Sequence, residues 1–182
     1  ILTAHHQDDN IETVLMNFFR GTGLQGMTGI PAINGNIRRP LLSFSRSALA
    51  EFARDNDLEW VEDSSNQQSK YTRNFLRNEW IPSLEKIYPE LKNNLAKNIE
   101  RFREIHKFYH SSVENWRKKL LHKKGKEWHI PVVLLLKANK ALQYEILFQF
   151  GFSEGQLDEI LKLAGTGSGK YMDAANSDKR II

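Results

Sequence analysis

Apolar residues near the start of the chain recur at helical spacing. Ile11, Val14, Leu15, Phe18 and Phe19 follow the i, i+3, i+4, i+7, i+8 pattern, which predicts an amphipathic helix over about residues 8–20. Residues 1–4 read as a short strand, with His5-His6-Gln7 as the connecting loop. Four glycines within residues 21–29 predict a loop. Asn34-Gly35, set between residues 29–33 and 36–42, signals a hairpin. Ser45 is placed to cap a helix carrying Leu49, Phe52 and Ala53, which ends near Asp55-Asn56-Asp57. A strand over residues 59–62 and a polar loop over 63–70 then lead into a segment at 71–81.

The second half opens on a long stripe. Leu91, Leu95, Ile99, Phe102, Ile105, Tyr109, Val113, Trp116 and Leu120 predict one helix from residue 89 to about 124, roughly 50 Å long. A short strand near 132–136, helices near 137–150 and 153–163, and a strand–turn–strand over 171–182 complete the reading. No internal repeat or low-complexity tract interrupts it.

Composition narrows the class. In 182 residues, 40% hydrophobic and 26% charged content fits a soluble globular protein and excludes disorder. No apolar run approaches the roughly 20 residues of a membrane span. The absence of cysteine excludes disulfides, thiolate metal sites and thiol nucleophiles, and a cytoplasmic location is the default expectation. The chain opens on Ile rather than Met and closes on Arg180-Ile-Ile182, so an internal fragment is expected. Net charge is +4, but residues 97–126 alone carry +7 while the flanking segments are slightly acidic. A local basic stripe points to nucleic-acid phosphate, or simply to a solvated helix face.

Two glycine patterns fail on their context. Gly21-Thr-Gly23-Leu-Gln-Gly26 matches GxGxxG but follows a helix instead of a strand. Gly165-Thr-Gly-Ser-Gly169-Lys170 is one residue short of a phosphate loop, with Tyr171 where Ser or Thr belongs.

One constellation survives. His5-His6-Gln-Asp8-Asp9-Asn-Ile-Glu12-Thr13 sets two imidazoles and three carboxylates between a strand end and a helix start. Asp8, Asp9 and Glu12 fall within an arc of about 100° on the first turns, suited to hold a magnesium ion or an ammonium group, or to act as a base. Asp9-x-x-Glu12 reads equally as a capping box. A second cluster combines Glu62-Asp63-Ser-Ser-Asn66 with Tyr71-Thr-Arg73-Asn74-Phe75-Leu-Arg77, where Arg73 and Arg77 would share a helix face. Loop capping by Asn66 and a surface helix are the plain alternatives.

Taken together, these residues resemble the tRNA(Ile)-lysidine synthetases. The match runs through Ala4-His-His-Gln-Asp-Asp-Asn-Ile-Glu-Thr13, Arg20-Gly-Thr-Gly-Leu-Gln-Gly26, Gly29-Ile-Pro31, Arg39-Pro-Leu-Leu42, Glu62-Asp-Ser-Ser-Asn66, Arg73-Asn-Phe-Leu-Arg77 and Pro82-Ser-Leu84. Gly151-Phe-Ser and Ser168-Gly-Lys170 extend it toward the family's second domain. The resemblance implies an α/β fold: part of a parallel-sheet nucleotide-binding (PP-loop ATPase) domain at residues 1–88, then a mainly helical domain at 89–182. It implies ATP, with Mg2+, as the activating substrate, and L-lysine and tRNA(Ile) with a CAU anticodon as partners. The cytidine C2 oxygen would be adenylated, and the lysine amine would then displace AMP.

By the same resemblance Asp9, Glu12, Asn66 and Arg77 line the lysine and cytidine pocket, while His5, Arg20, Gly21 and Gly23 border the nucleotide. Arg73, Lys118, Lys119, Lys123 and Lys124 are candidate RNA contacts, and no metal ligand is assigned. The family's Ser-Gly-Gly-x-Asp-Ser loop does not occur in the sequence, so the chain alone is expected to be inactive; self-association through an apolar edge is a further expectation. Two other readings compete. One is a metal-dependent phosphohydrolase using His5, His6, Asp8, Asp9 and Glu12. The other is a non-catalytic RNA-binding module built on the basic helix, whose binding would weaken steeply with salt.

Overall fold

The computed structural model describes residues 1–60, 72–165 and 171–181, and the chain divides into two compact units, Ile1–Lys107 and Phe108–Ile182. In the first unit, α1 (Gln7–Phe19) forms where the periodicity places it. The glycine-rich stretch is not all loop: α2 (Gly23–Met27) forms within it. Next, β1 (Ile33–Asn34) pairs antiparallel with β2 (Ile37–Arg38), matching Ile33 to Arg38 and Asn34 to Ile37. The turn is therefore Gly35-Asn36, one residue later than the Asn-Gly signal. Ser45 caps α3 (Arg46–Asp55) by accepting the Ala48 N–H at 3.1 Å. Glu59 and Trp60 are not in a strand, and residues 61–71, Asn66 included, lie outside the described residues. Then α4 (Thr72–Phe75), a π-helical turn (Leu76–Trp80) and α5 (Ile81–Glu85) run without a break; Pro82 lies in the first turn of α5, where its missing N–H is least costly. The long helix is α6 (Leu91–Leu120).

The core of this unit joins Ile11, Val14 and Leu15 of α1 to Leu76, Ile81 and Ile99. Each such burial contributes roughly 1.5–3 kcal/mol, so α1 is fastened to both the Arg77-bearing turn and α6. Phe18 and Phe19, on the same stripe of α1, are exposed, with Phe19 edge-on to Trp80. Periodicity marks a face but not how far its cover extends.

The expected strand at residues 1–4 is reduced to a single parallel bridge between Leu2 and Arg38, where the Arg38 N–H donates to Ile1 O at 2.9 Å and the Thr3 N–H to Arg38 O at 3.1 Å. Among the described residues the ladders are two-stranded and antiparallel. The parallel sheet expected from the sequence is thus not seen among them: residues 1–4 meet one short strand, and a parallel ladder needs longer neighbours joined by crossovers.

In the second unit α6 stops at Leu120, and β3 (His122–Lys124) pairs with β4 (Glu127–His129). Lys123 and Lys124 are strand residues, not helical ones: Gly125, at φ +63°, makes the turn that reverses the chain. The apolar run after it is α7 (Val132–Lys137), a helix where a strand was expected. A run this short fits either state, and Pro131 immediately before it decides for a helix start. α8 (Lys140–Phe148), α9 (Glu154–Ala164), β5 (Met172–Asp173) and β6 (Arg180–Ile181) follow as expected. Val113, Leu120, Leu142 and Ile146 form one core, and Leu147, Phe152, Leu157, Ile160 and Ala174 another, with Ile130 packed against both. Among the described residues no helix is long and apolar enough to cross a membrane.

Candidate active site

The first turn of α1 organises the acidic cluster. His6 is its N-cap: His6 Nδ1 receives the Asp9 N–H at 3.4 Å, and Asp9 Oδ2 receives the His6 N–H at 3.0 Å. A capping box therefore exists, but it joins His6 to Asp9 and leaves Glu12 out of it. The second oxygen of Asp9, Oδ1, accepts Arg77 Nη2 at 2.8 Å.

Glu12 lies one turn further on and is 1% exposed. Arg77 meets it in a fork, Nε to Oε1 at 2.7 Å and Nη2 to Oε2 at 2.9 Å. The hydrogen bonds that Arg77 donates to Glu12 raise its pKa; burial opposes them, and the charges of Glu12 and Asp9 add to the rise. Arg73 sits at the margin, its Nε 3.8 Å from Glu12 and its Nη2 donating to Thr13 Oγ1 at 3.1 Å. Three sequence-distant candidates, Asp9, Glu12 and Arg77, are thus one cluster, with Arg73 beside it. Asp9 and Glu12 face Arg77, and Arg73 stands at the exposed margin of the same cluster, so the two carboxylates are close to balanced by two guanidinium groups.

Asp8 does not join them. Consecutive helical residues point about 100° apart, and Asp8 Oδ2 accepts the Arg46 N–H at 2.8 Å while Oδ1 lies 3.3 Å from Lys92 Nζ. Lys92 is also 3.5 Å from Glu85. Burial pushes the Asp8 carboxyl up, but the Arg46 amide and Lys92 outweigh it, and the net direction is down. A cleft of about 540 Å³ opens here between Gln7, Asp8, Ser45, Arg46 and Lys92.

His5 turns its Nδ1 to Thr3 Oγ1 at 3.0 Å. Arg20 caps the far end of α1 and is exposed; thirteen helical residues, roughly 20 Å, separate it from His5. Gly21 and Gly23 take left-handed φ of +69° and +68° beside it. The glycine segment then runs back along α1 through contacts that sequence reasoning missed. Asn17 Nδ2 holds Gly26 O at 3.0 Å, buried Asn10 accepts the Ile30 N–H at 2.6 Å, and Arg103 donates to Thr28 O at 2.8 Å and Ile30 O at 3.0 Å. Gly29 is needed there: its φ is +70°, and a methyl group would strike Asn10 Oδ1. An Asn on the buried side of α1 and an Arg one turn after Ile99 were the available signals. In the second unit, Lys118 and Lys119 are exposed in the last turn of α6, and Lys123 and Lys124 are exposed on β3.

Residues 1–84 match the family profile of the PP-loop domain, and residues 123–176 that of the TilS substrate binding domain. A tRNA(Ile)-lysidine synthase of Parabacteroides distasonis is 37% identical over 167 residues, covering 92% of this chain and 38% of the relative. Another, from Bacteroides thetaiotaomicron, is 33% identical over 88% of this chain and 37% of its own length. A third, from Hydrogenovibrio crunogenus, is 41% identical over 57% of this chain and 27% of the relative. The chain is thus similar to tRNA(Ile)-lysidine synthases over most of its own length. It spans under two-fifths of the length of these relatives. The PP-loop match points to an α/β nucleotide-binding fold for the first unit, and Asp9, Glu12 and Arg77 lie within it. The exposed lysines Lys123 and Lys124 open the second match.

Proposed function

We propose that this chain supplies the amino-acid site and part of the RNA-binding surface of an enzyme that joins lysine to the wobble cytidine of tRNA(Ile) at the expense of ATP. The observation that carries the reading is the Arg77 fork on Glu12 and Asp9, inside a segment whose relatives are named for that reaction. Asp9 and Glu12 would hold the substrate ammonium, and one of them would accept its proton, freeing the amine to attack C2 of the adenylated cytidine. Arg77 orients both carboxylates and is placed to steady the negative charge that develops as AMP leaves. Asn66 belongs to the same pocket in this reading. His5, Arg20, Gly21 and Gly23 would border the nucleotide; Arg73, Lys118, Lys119, Lys123 and Lys124 would contact RNA, and the functional boundary would fall near residue 88. Magnesium would arrive with the nucleotide; among the described residues no group of three His, Asp or Glu side chains gathers to hold it. The pairing of Asp9 and Glu12 with Arg77, and of Asp8 with Lys92, favours the ammonium reading over a metal-dependent phosphohydrolase.

The test uses the full-length protein with ATP, labelled lysine and tRNA(Ile) bearing a CAU anticodon. Label is expected in the RNA with wild type and absent with Asp9→Asn and Arg77→Ala. Folded wild-type protein that transfers none would overturn the reading.

A further inference from the structure

The β3–β4 hairpin of the second unit is exposed along its whole length, His122 to His129. It carries Lys123, Lys124 and Lys126 against one acid, Glu127, whose carboxylate lies 3.4 Å from His129. Antiparallel pairing places Lys123 directly opposite Trp128, so the two side chains share one face. Trp128 stays 48% exposed although its ring packs against Phe150, centroids 6.3 Å apart. Lys123 Nζ lies 5.9 Å from the ring centroid. An indole so held is a rigid apolar plate at the edge of a cationic strand, and the cation nearest it is on the most flexible of stems.

We propose that this hairpin binds an unpaired nucleotide of the RNA substrate, its base stacked on Trp128 and its flanking phosphates taken by Lys123 and Lys126. The proposal rests on the reading that the second unit serves an RNA. It goes further in naming the element, the aromatic contact and the strandedness. Lysines alone would suit duplex or single strand equally, because both offer phosphates. Only an unpaired base offers its face to an indole, since in a duplex each face is already stacked on its neighbour. The Lys123 ammonium that rests over the ring can swing onto the backbone when a base arrives.

The experiment measures binding of the 182-residue chain to a fluorescent unpaired RNA oligonucleotide and to an RNA duplex of equal length, across a salt series. Trp128→Ala is expected to weaken single-strand binding about tenfold with an unchanged salt slope and unchanged duplex binding. Trp128→Phe, which keeps a ring against Phe150, is expected to lose only two- to threefold. Lys123→Met is expected to flatten the single-strand salt slope by about 0.7. Equal single-strand affinity for wild type and Trp128→Ala would overturn the proposal, and so would equal losses on duplex and single strand. Wild-type chain that binds neither RNA would instead overturn the RNA reading of the whole unit.

Discussion

The acidic cluster of the first unit and the basic hairpin of the second solve opposite problems. Glu12 is buried and its charge is met inside the protein by a two-bond fork from Arg77. The lysines of the hairpin are in water. A ligand for the first must fit into an existing charge balance, so its chemistry is specified narrowly. A ligand for the second meets hydrated, screened charges that any phosphate backbone can satisfy. Buried charge therefore couples function to stability, whereas exposed charge separates them.

The largest effect should follow from breaking that coupling. Glu12→Gln leaves Arg77 with a neutral amide, and Arg77→Met leaves two carboxylates facing each other. Each single change is expected to cost roughly 3 kcal/mol in urea unfolding, and the double variant clearly less than their sum, because the unpaired partner is the main penalty. Lysine transfer by the full-length protein should fall at least a hundredfold in either single variant. Additive costs in the double-variant cycle would show that the fork is not the coupling the geometry implies.

A second break tests the glycine-rich segment that runs back along α1. Gly29→Ala must hold a left-handed φ and push a methyl group into Asn10, whereas Gly35→Ala meets the same backbone demand in open space. We expect about 1 kcal/mol for Gly35→Ala and about 2–3 kcal/mol for Gly29→Ala, a difference of several degrees in Tm. Equal losses would mean that Asn10 moves aside freely and the segment is not anchored to α1.

What the sequence made legible follows the same division. The span of α1 and the Ser45 cap were readable, because they depend on local periodicity and cap chemistry; Asp9, Glu12 and Arg77 were brought together only by the resemblance, and the fork between them was not foreseen. That Asp8 faces away from Asp9 was not readable either. Asp8 takes its partners from α3 and α6 whereas Asp9 takes Arg77, and tertiary packing assigns them. Lys123 and Lys124 were placed on a helix because the basic run continues past Leu120, and charge carries no periodicity with which to mark the turn at Gly125. Residues 132–136 were mistaken for a strand because a short, wholly apolar run has no polar face to reveal its period. The parallel sheet came from resemblance, not from pattern, and among the described residues no parallel ladder forms; Leu2 and Arg38 make an isolated parallel bridge.

Asp8 sharpens the comparison on a smaller scale. Its carboxyl is held below the ordinary value near 3.9, so the folded state binds the proton less well than the unfolded chain. Its stabilisation is complete above that ordinary value and disappears as the pH falls through it toward the lowered one. Asp8→Asn should therefore be less stable than wild type at neutral pH, by about 1 kcal/mol for a part-buried acceptor of a backbone N–H, with the gap closing in acid. A gap that persists unchanged to pH 2 would assign the loss to packing instead of charge.

The smallest stability effects belong to the exposed lysines, and there the contrast is at its cleanest. Lys118→Ala, Lys119→Ala and Lys124→Ala should each leave unfolding free energy within about 0.5 kcal/mol of wild type. If RNA phosphates are their partners, each nevertheless removes one released counterion, so the logarithmic salt slope should drop by about 0.7–0.9 per productive contact. A lysine whose removal changes neither quantity is a solvated residue and leaves the RNA surface. For Lys118 or Lys124, a change in stability without a change in slope would contradict the division itself; Lys119 also rests its Nζ 5.5 Å from the Trp116 ring centroid, a contact that a small stability loss at that position would report.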